Sequence, residues 1–530
     1  MHWLVLLFGE EVIDAELLGV KAGRATRGHR FHRPDPMELA TPAEYLQRLE
    51  SEGHVIADFQ RRKTLVREQV EQAARAANAV PVIDSDLLDE VTALVEWPVP
   101  VVGRFDERFL DVPSEALISS MQEHQKYFPL RDQSGALLPS FIAIANIDSR
   151  NPESVKAGNE RVIRPRLADA AFFWNQDRKQ ALETRLNGLK NVVYQTKLGS
   201  VYEKSRRVAS LASAVAEVLG LNAAQAERAA WLGRCDLATE MVGEFPELQG
   251  IMGRYYALHD GEPVAVADAL DEQYMPRFAG DAIAPSALGK VLAVAERADT
   301  LVAIFAVGKA PSGDKDPFAL RRAALGLLRT LIEGDIDLDL AWLLEQAALH
   351  LPSALNPDQQ ANAVYDFCLE RLRYYYQGQG YAAELFDAVA ACRPTRPVDF
   401  HRRISACREF VTLPEASSLA AANKRIRNIL RKNEAPLPDK VDPKLLQDSQ
   451  EQTLAAAVQK VGGEVRPLLD NRDYTMALAK LAALREPVDE FFEHVLVMAE
   501  DPSIQGNRLR LLSDISTLFM ETADVSRLPS

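Results

Sequence analysis

The stretch "VASLASAVAEVLGLN", Val208 to Asn222, decides how the rest of the chain is read. Alanine, leucine and valine run without a turn signal until Gly-Leu-Asn stops them, which predicts a helix with a sharp end. From about Leu186 onward similar segments recur, and the pattern there is almost wholly helical. The first 150 residues differ. "HWLVLLF" (His2 to Phe8) and "FIAIAN" (Phe141 to Asn146) have the length and apolar density of buried strands, and "DFQRRKTLVREQVEQAARAAN" (Asp58 to Asn78) is a long polar helix pattern. The expected fold class is α+β and predominantly α-helical.

At 530 residues the chain exceeds what one core can serve, so three or four domains are expected. With 47% hydrophobic and 26% charged residues it is globular rather than disordered. The apolar run Trp3 to Phe8 falls far short of the ~20 residues of a membrane span, and no basic region precedes it, so neither a span nor a signal peptide is expected. Cys235, Cys368, Cys392 and Cys407 lack any C-x-x-C spacing, which argues against a disulfide framework or a cysteine zinc site and for a reducing cytosol.

Two loops punctuate the helical part. "EAPLPDKVDP" (Glu434 to Pro443) holds three prolines and predicts an extended connector, and "RPTRPVDF" (Arg393 to Phe400) is a second break. Beyond them, Val488, Phe491, Phe492, Val495, Met498 and Ala499 fall on one helical face that Pro502 must end. Leu511, Ile515, Leu518 and Phe519 make a second stripe, and two such stripes predict a C-terminal bundle.

The common catalytic motifs are missing. The Gly-Lys pairs at Gly289 and Gly308 have Ala284 and Ala303 where a phosphate-binding loop needs its first glycine. "WLGRCDLATEMVGEF" is similar to the helix that carries the His-Asp pair in HD-type metal phosphohydrolases, but the pair here is Cys235-Asp236. Asp236, His259 and Asp299 alone make a poor metal cage, so an HD-like fold without metal is expected, with a working phosphohydrolase as the rival. In "GDKDPFALRRAALGLLR", Asp316 and Pro317 read as a capped helix start, with Arg321 and Arg322 as solvated surface.

Cations gather beside aromatics. "NERVIRPRLADAAFFWNQDRK" (Asn159 to Lys179) sets Arg161, Arg164, Arg166, Arg178 and Lys179 against Glu160, Asp169 and Asp177, with Phe172, Phe173 and Trp174 among them. "RATRGHRFHR" repeats arginine from Arg24 to Arg33; Arg371 and Arg373 precede Tyr374, Tyr375 and Tyr376; "ANKRIRNILRK" holds Lys424, Arg425, Arg427, Arg431 and Lys432 without an acid. Each cluster alone also reads as core aromatics beside a solvated face. Their segregation in a chain of net charge −15 favours RNA, because guanidiniums neutralise phosphates and rings stack on bases.

Six stretches in order, "HQKYFPL", "NERVIRPRLADAAFFWNQDRK", "CDLATEMVGEFPELQGIMGRYYALHDGE", "DEQYMPRFAG", "GDKDPFALRR" and "PVDEFFEHVLVMAEDPSIQGNRLRLL", resemble the β subunit of bacterial glycyl-tRNA synthetase. The resemblance implies a tRNA-binding subunit in the cytoplasm. It implies an α partner that carries the class II catalytic core with its ATP and Mg2+, no cofactor in this chain, and an assembly of two α and two β subunits around tRNA(Gly). It further implies an N-terminal α+β tRNA-binding region (1–185), an HD-like helical domain that has lost its metal ligands (186–345), a helical body (346–417) and an anticodon-binding helical bundle like that of arginyl-tRNA synthetase (418–530). Family members usually begin with a further segment, so the chain is expected to be shortened at its N-terminus. Charge and position nominate Arg161, Arg164, Arg166, Trp174, Arg178, Lys179, Arg321 and Arg322 for the tRNA body. Lys424, Arg425, Arg427, Arg431 and Arg508 are nominated for the anticodon arm.

Overall fold

The computed structural model describes residues 2–433 and 435–529. Glu434, in the proline-rich connector, lies outside the described residues. The chain forms two compact units: Met1–Ala181 with Leu237–His259, and Leu182–Asp236 with Asp260–Ser530. The stretch 237–259, expected inside the HD-like domain, packs instead with the N-terminal unit. Among the described residues no helix is long and apolar enough to cross a membrane.

The first unit is built on an antiparallel sheet whose strands lie in the order Val80–Pro81, Phe128–Arg131, Leu137–Ala145 and Val99–Arg104. "FIAIAN" falls in Leu137–Ala145, with Phe141 and Ile142 fully buried. Helices Phe59–Ala76 and Ser85–Leu94 supply Val66, Val70, Leu88 and Val91 to the core against Phe128, Leu130 and Ile142. Gly103 sits opposite Phe141 across the strands, where a Cβ would come within 2.4 Å of the ring. The space is taken by the Phe141 ring, which stacks on Tyr127 at 4.5 Å.

"HWLVLLF" does not become a buried strand. It breaks into Leu4–Val5 and Leu7–Phe8, and Trp3 and Phe8 remain exposed. The two-residue strands pair with the neighbouring short segments Val20–Gly23 and Glu11–Val12, too short to extend the apolar run into one strand.

Two histidines tie this N-terminal region to the sheet. Buried His29 donates from Nε2 to the Asn146 carbonyl (2.7 Å) and accepts the Phe31 and His32 amides at Nδ1. His32 accepts the Asp148 amide at Nε2 (3.0 Å) and stacks on His54 at 5.0 Å. Burial, then the neighbouring His29 and His54, hold the His32 imidazole below its ordinary value of 6.5. A depressed folded value makes the neutral ring the stable one, so this stability is complete above 6.5 and is lost as pH falls from there toward the folded value. Limited proteolysis of the first 55 residues is therefore expected to accelerate below that pH, and His32→Gln, which keeps an acceptor without a titration, should flatten the dependence.

Among its described residues the second unit is helical apart from the small hairpin Val193–Gln195 and Gly199–Ser200 and a lone bridge between Ser312 and Lys315. Its centre is Ala287–Ala306, apolar nearly all round and buried along most of its length, as a helix packed on every side must be. Val201–Val218, which contains the opening stretch up to Val218, packs against it and starts from a capping box between Ser200 and Glu203. Leu320–Glu333 and Ala361–Gly378 pack on other sides. Asp316 caps as expected, accepting the Leu320 and Arg321 amides, but the helix begins at Leu320 and Pro317 lies in the turn before it.

The unit ends in the bundle Ala416–Lys432, Ser449–Asp470, Tyr474–Leu481, Arg485–His494 and Pro502–Met520. Val488, Phe491 and Val495 are buried as the stripe requires. The helix stops at His494, short of the expected face, so Met498 is exposed. The carbonyl of Leu496 is taken by the Arg508 guanidinium at 2.6 Å rather than by a continuing helix.

Candidate nucleic-acid interface

The basic aromatic stretch forms most of one helix, Pro152–Asp177, capped by Asn151, whose side chain accepts the Ser154 amide. Ile163, Leu167, Ala170, Trp174 and Asp177 recur at spacings of four and three residues and are buried, so they define the inward face. Arg161, Arg164, Phe172 and Lys179 fall on the opposite side and Arg166 on its flank, all exposed. Among the described residues Arg161, Arg164 and Arg166 have no carboxylate partner.

Two of the stretch's acids are committed to the protein's own hydrogen bonds. Glu160 accepts the Arg104 amide at 2.9 Å. Buried Asp177 accepts the Glu240 and Met241 amides (3.0 Å each) and the Tyr256 hydroxyl (2.9 Å). The outer face is thus more basic than the composition of the stretch indicates. Trp174, nominated as an RNA contact, is corrected: it is 7% exposed and stacks on Tyr256 at 5.4 Å, because the helical period turns it into the core. Arg178 lies over that ring at 4.4 Å and bonds to Asn175, and Lys179 bonds to Gln176.

In the bundle, Ala416–Lys432 buries Leu419, Ala420 and Ile426 and exposes Lys424, Arg425, Arg431 and Lys432. Arg425 lies 4.2 Å from the Phe492 ring centre, and Arg431 bonds to Asn428. Arg427 is ion-paired with Asp524, so its charge is already offset. Arg508 is corrected as well. It is 6% exposed, paired with fully buried Glu451 and, at 3.0 Å, with Asp448, and so cannot present itself to a ligand.

Arg321 and Arg322 stand in a groove of the second unit that three separately noticed stretches build together. "DEQYMPRFAG" contributes Phe278, "GDKDPFALRR" the two arginines, and the tyrosine triplet Tyr374 and Tyr375. Tyr376 departs from the triplet into the core, stacked on Phe400 at 5.7 Å. No spacing in the sequence connects these three stretches, so their convergence was not readable.

The HD-like positions do not form a ligand set. Cys235 is fully buried, and burial followed by the adjacent Asp236 pushes its thiol far above the ordinary range, so it stays protonated. His259 is exposed at the end of Ile251–His259. Asp299 is buried and gripped by Arg207 at 2.7 and 3.2 Å, with Lys204 at 3.7 Å. Lys204 and Arg234 in turn share Glu296, at 2.9 and 2.6 Å. Burial would raise the Glu296 carboxyl, but Lys204 and Arg234 hold it well below the usual range. Protein cations thus neutralise Asp299 and Glu296, and among the described residues no group of three or more His, Cys, Asp or Glu side chains is arranged to hold a metal ion.

Basic helical faces and a C-terminal bundle matching the DALR anticodon binding domain over residues 419–525 mark an aminoacyl-tRNA synthetase subunit. Residues 1–391 match the glycyl-tRNA synthetase beta subunit family, and the chain belongs to that family. It is 52% identical over its whole length to the glycine–tRNA ligase beta subunit of Marinobacter nauticus, spanning 77% of that protein. It is 53% identical over its whole length to the Chromohalobacter salexigens protein of the same name, and 51% identical over 99% of its length to that of Pseudomonas aeruginosa, again spanning 77% of each relative.

Proposed function

We propose that this chain holds tRNA(Gly) for glycylation at a separate α subunit, which supplies the catalytic core with its ATP and Mg2+. The observation that carries the reading is the row Arg161, Arg164 and Arg166, exposed and without carboxylate partners among the described residues, in a chain of net charge −15. Such a row neutralises phosphates on one face while the acidic remainder discourages indiscriminate contact. Arg178 and Lys179 extend it, and Arg321 and Arg322 offer a second grip. Lys424, Arg425 and Arg431 serve the anticodon arm, with Arg427 held in reserve by Asp524. The chain's contribution is positioning: fixing the tRNA brings its terminal ribose hydroxyl to the partner's glycyl-adenylate, an orientation effect worth several kcal/mol.

The full reading includes an assembly of two α and two β subunits, a cytoplasmic setting, and domains at 1–185, 186–345, 346–417 and 418–530, with 237–259 joined to the first of these. The rival phosphohydrolase is not favoured, since Asp299 is occupied by Arg207 and Lys204. Glycylation assayed with this chain, the α subunit and their mixture is expected only in the mixture, and turnover by this chain alone would refute the proposal. In tRNA binding across a salt series, Arg161→Ala, Arg164→Ala and Arg166→Ala combined should lower the slope of log affinity against log salt by about 2. An unchanged slope would remove this face from the interface.

A further inference from the structure

We propose that the groove in the second unit holds one unstacked nucleobase of an RNA strand together with an adjoining phosphate, the base stacking on Tyr374 and Phe278 and the phosphate meeting Arg321 and Arg322. This rests on the RNA-binding reading and adds to it a site for a single-stranded nucleotide.

The groove lies between the loop after Val264–Glu272, the start of Leu320–Glu333 and the end of Ala361–Gly378. Its volume, about 720 Å³, falls within the range of small-ligand sites. Phe278 and Tyr374 are 64% and 57% exposed, an unusual state for two large rings lining one concave surface. Arg371 lies 4.5 Å from the centre of the Tyr374 ring and is ion-paired with Glu370, so that ring is held in place before any ligand arrives.

The wall bearing Phe278 is also built in advance. Buried Arg297 donates to the carbonyls of Gln273, Tyr274, Met275 and Pro276 at 2.8 to 3.3 Å, pinning the loop from behind. Gly326 makes room for that guanidinium, since a Cβ there would lie 2.6 Å from Nε. On the open side, Gly378 has nothing within 4 Å of where a Cβ would stand. The groove is therefore preformed and sterically open at Gly378, which limits the ordering cost of binding.

The charges select the occupant. Glu333, the carboxylate lining the groove, is taken by Arg329 at 2.7 Å and by the Tyr375 hydroxyl at 3.2 Å. Among the described residues Arg322 is exposed without a carboxylate partner, and the Arg321 guanidinium donates to the Gly313 carbonyl. Two available guanidiniums beside two exposed rings match a nucleotide, which has both an anion and a π face. An acidic peptide would use the cations and leave the rings idle.

The test uses the full chain with a short oligouridylate, a duplex RNA of equal length, and a tRNA transcript bearing a glycine anticodon. Tyr374→Ala and Phe278→Ala are each expected to weaken oligouridylate binding about tenfold, with Tyr374→Phe near the parent and the duplex unaffected. Gly378→Leu, which fills the groove without touching the fold, should match Tyr374→Ala. A tRNA carrying 4-thiouridine should crosslink to Tyr374 or Phe278. If Tyr374→Ala and Gly378→Leu bind oligouridylate and tRNA as the parent does while the triple arginine variant still loses tRNA, the groove proposal is overturned and the RNA reading stands. If none of these variants loses tRNA, the RNA reading falls too. Competition by uridine monophosphate at equal concentration would overturn the strand assignment, and Tyr374-dependent binding of polyglutamate would overturn base stacking.

Discussion

Asp299→Ala is expected to destabilise the second unit by about 3–5 kcal/mol, because it leaves Arg207 buried without its counter-charge and Lys204 with Glu296 alone. Against a domain stability of about 5–15 kcal/mol, that is enough to open the helices that meet there. Hydrogen exchange should report it as lost protection in Val201–Val218 and Ala287–Ala306. Asp299→Asn, which keeps an acceptor, should cost less than the alanine. Exchange in those helices indistinguishable from the parent would show that the cluster is not what joins them. Because Arg207 and Lys204 already neutralise Asp299, added Mn2+ should restore nothing.

The second large effect concerns Glu451, fully buried and paired with Arg508. Glu451→Ala leaves the buried Arg508 guanidinium with only the half-exposed Asp448 as counter-charge and should lower the stability of the C-terminal bundle by about 3 kcal/mol, read as a drop in its denaturation midpoint. Any accompanying loss of tRNA binding would then come from unfolding rather than from a deleted contact. The double variant Glu451→Leu with Arg508→Met separates the two explanations. It removes both charges, should recover most of the stability, and should bind tRNA as the parent does. Failure to recover binding in a stably folded double variant would return Arg508 to the interface.

What the sequence made legible follows from period and composition. The helix Phe59–Ala76 and the strand containing "FIAIAN" stand where polarity and apolar density put them. The rows on Pro152–Asp177 and Ala416–Lys432 needed only the spacing of arginines against apolar residues. Trp174 and Arg508 misled because residue type alone does not say which way a side chain turns: one is drawn in by its place in the 163-167-170-174 stripe, the other by a buried carboxylate 57 positions away in sequence. "HWLVLLF" misled because a strand needs partners of its own length as well as apolar residues, and its partners here are short. The groove was out of reach because Phe278, Arg322 and Tyr374 meet only through tertiary packing.

The first unit is assembled from two separate lengths of chain, 1–181 and 237–259. Asp177 finds its amide and hydroxyl donors only when Glu240, Met241 and Tyr256 have been synthesised. On the ribosome, then, the helix bearing the exposed arginines must wait through the making of Val201–Val218 and Ala223–Leu232 before its inner end can be anchored. The early part of each nascent chain therefore passes an interval with its cationic face already displayed and the contacts of Asp177 to Glu240, Met241 and Tyr256 still unmade.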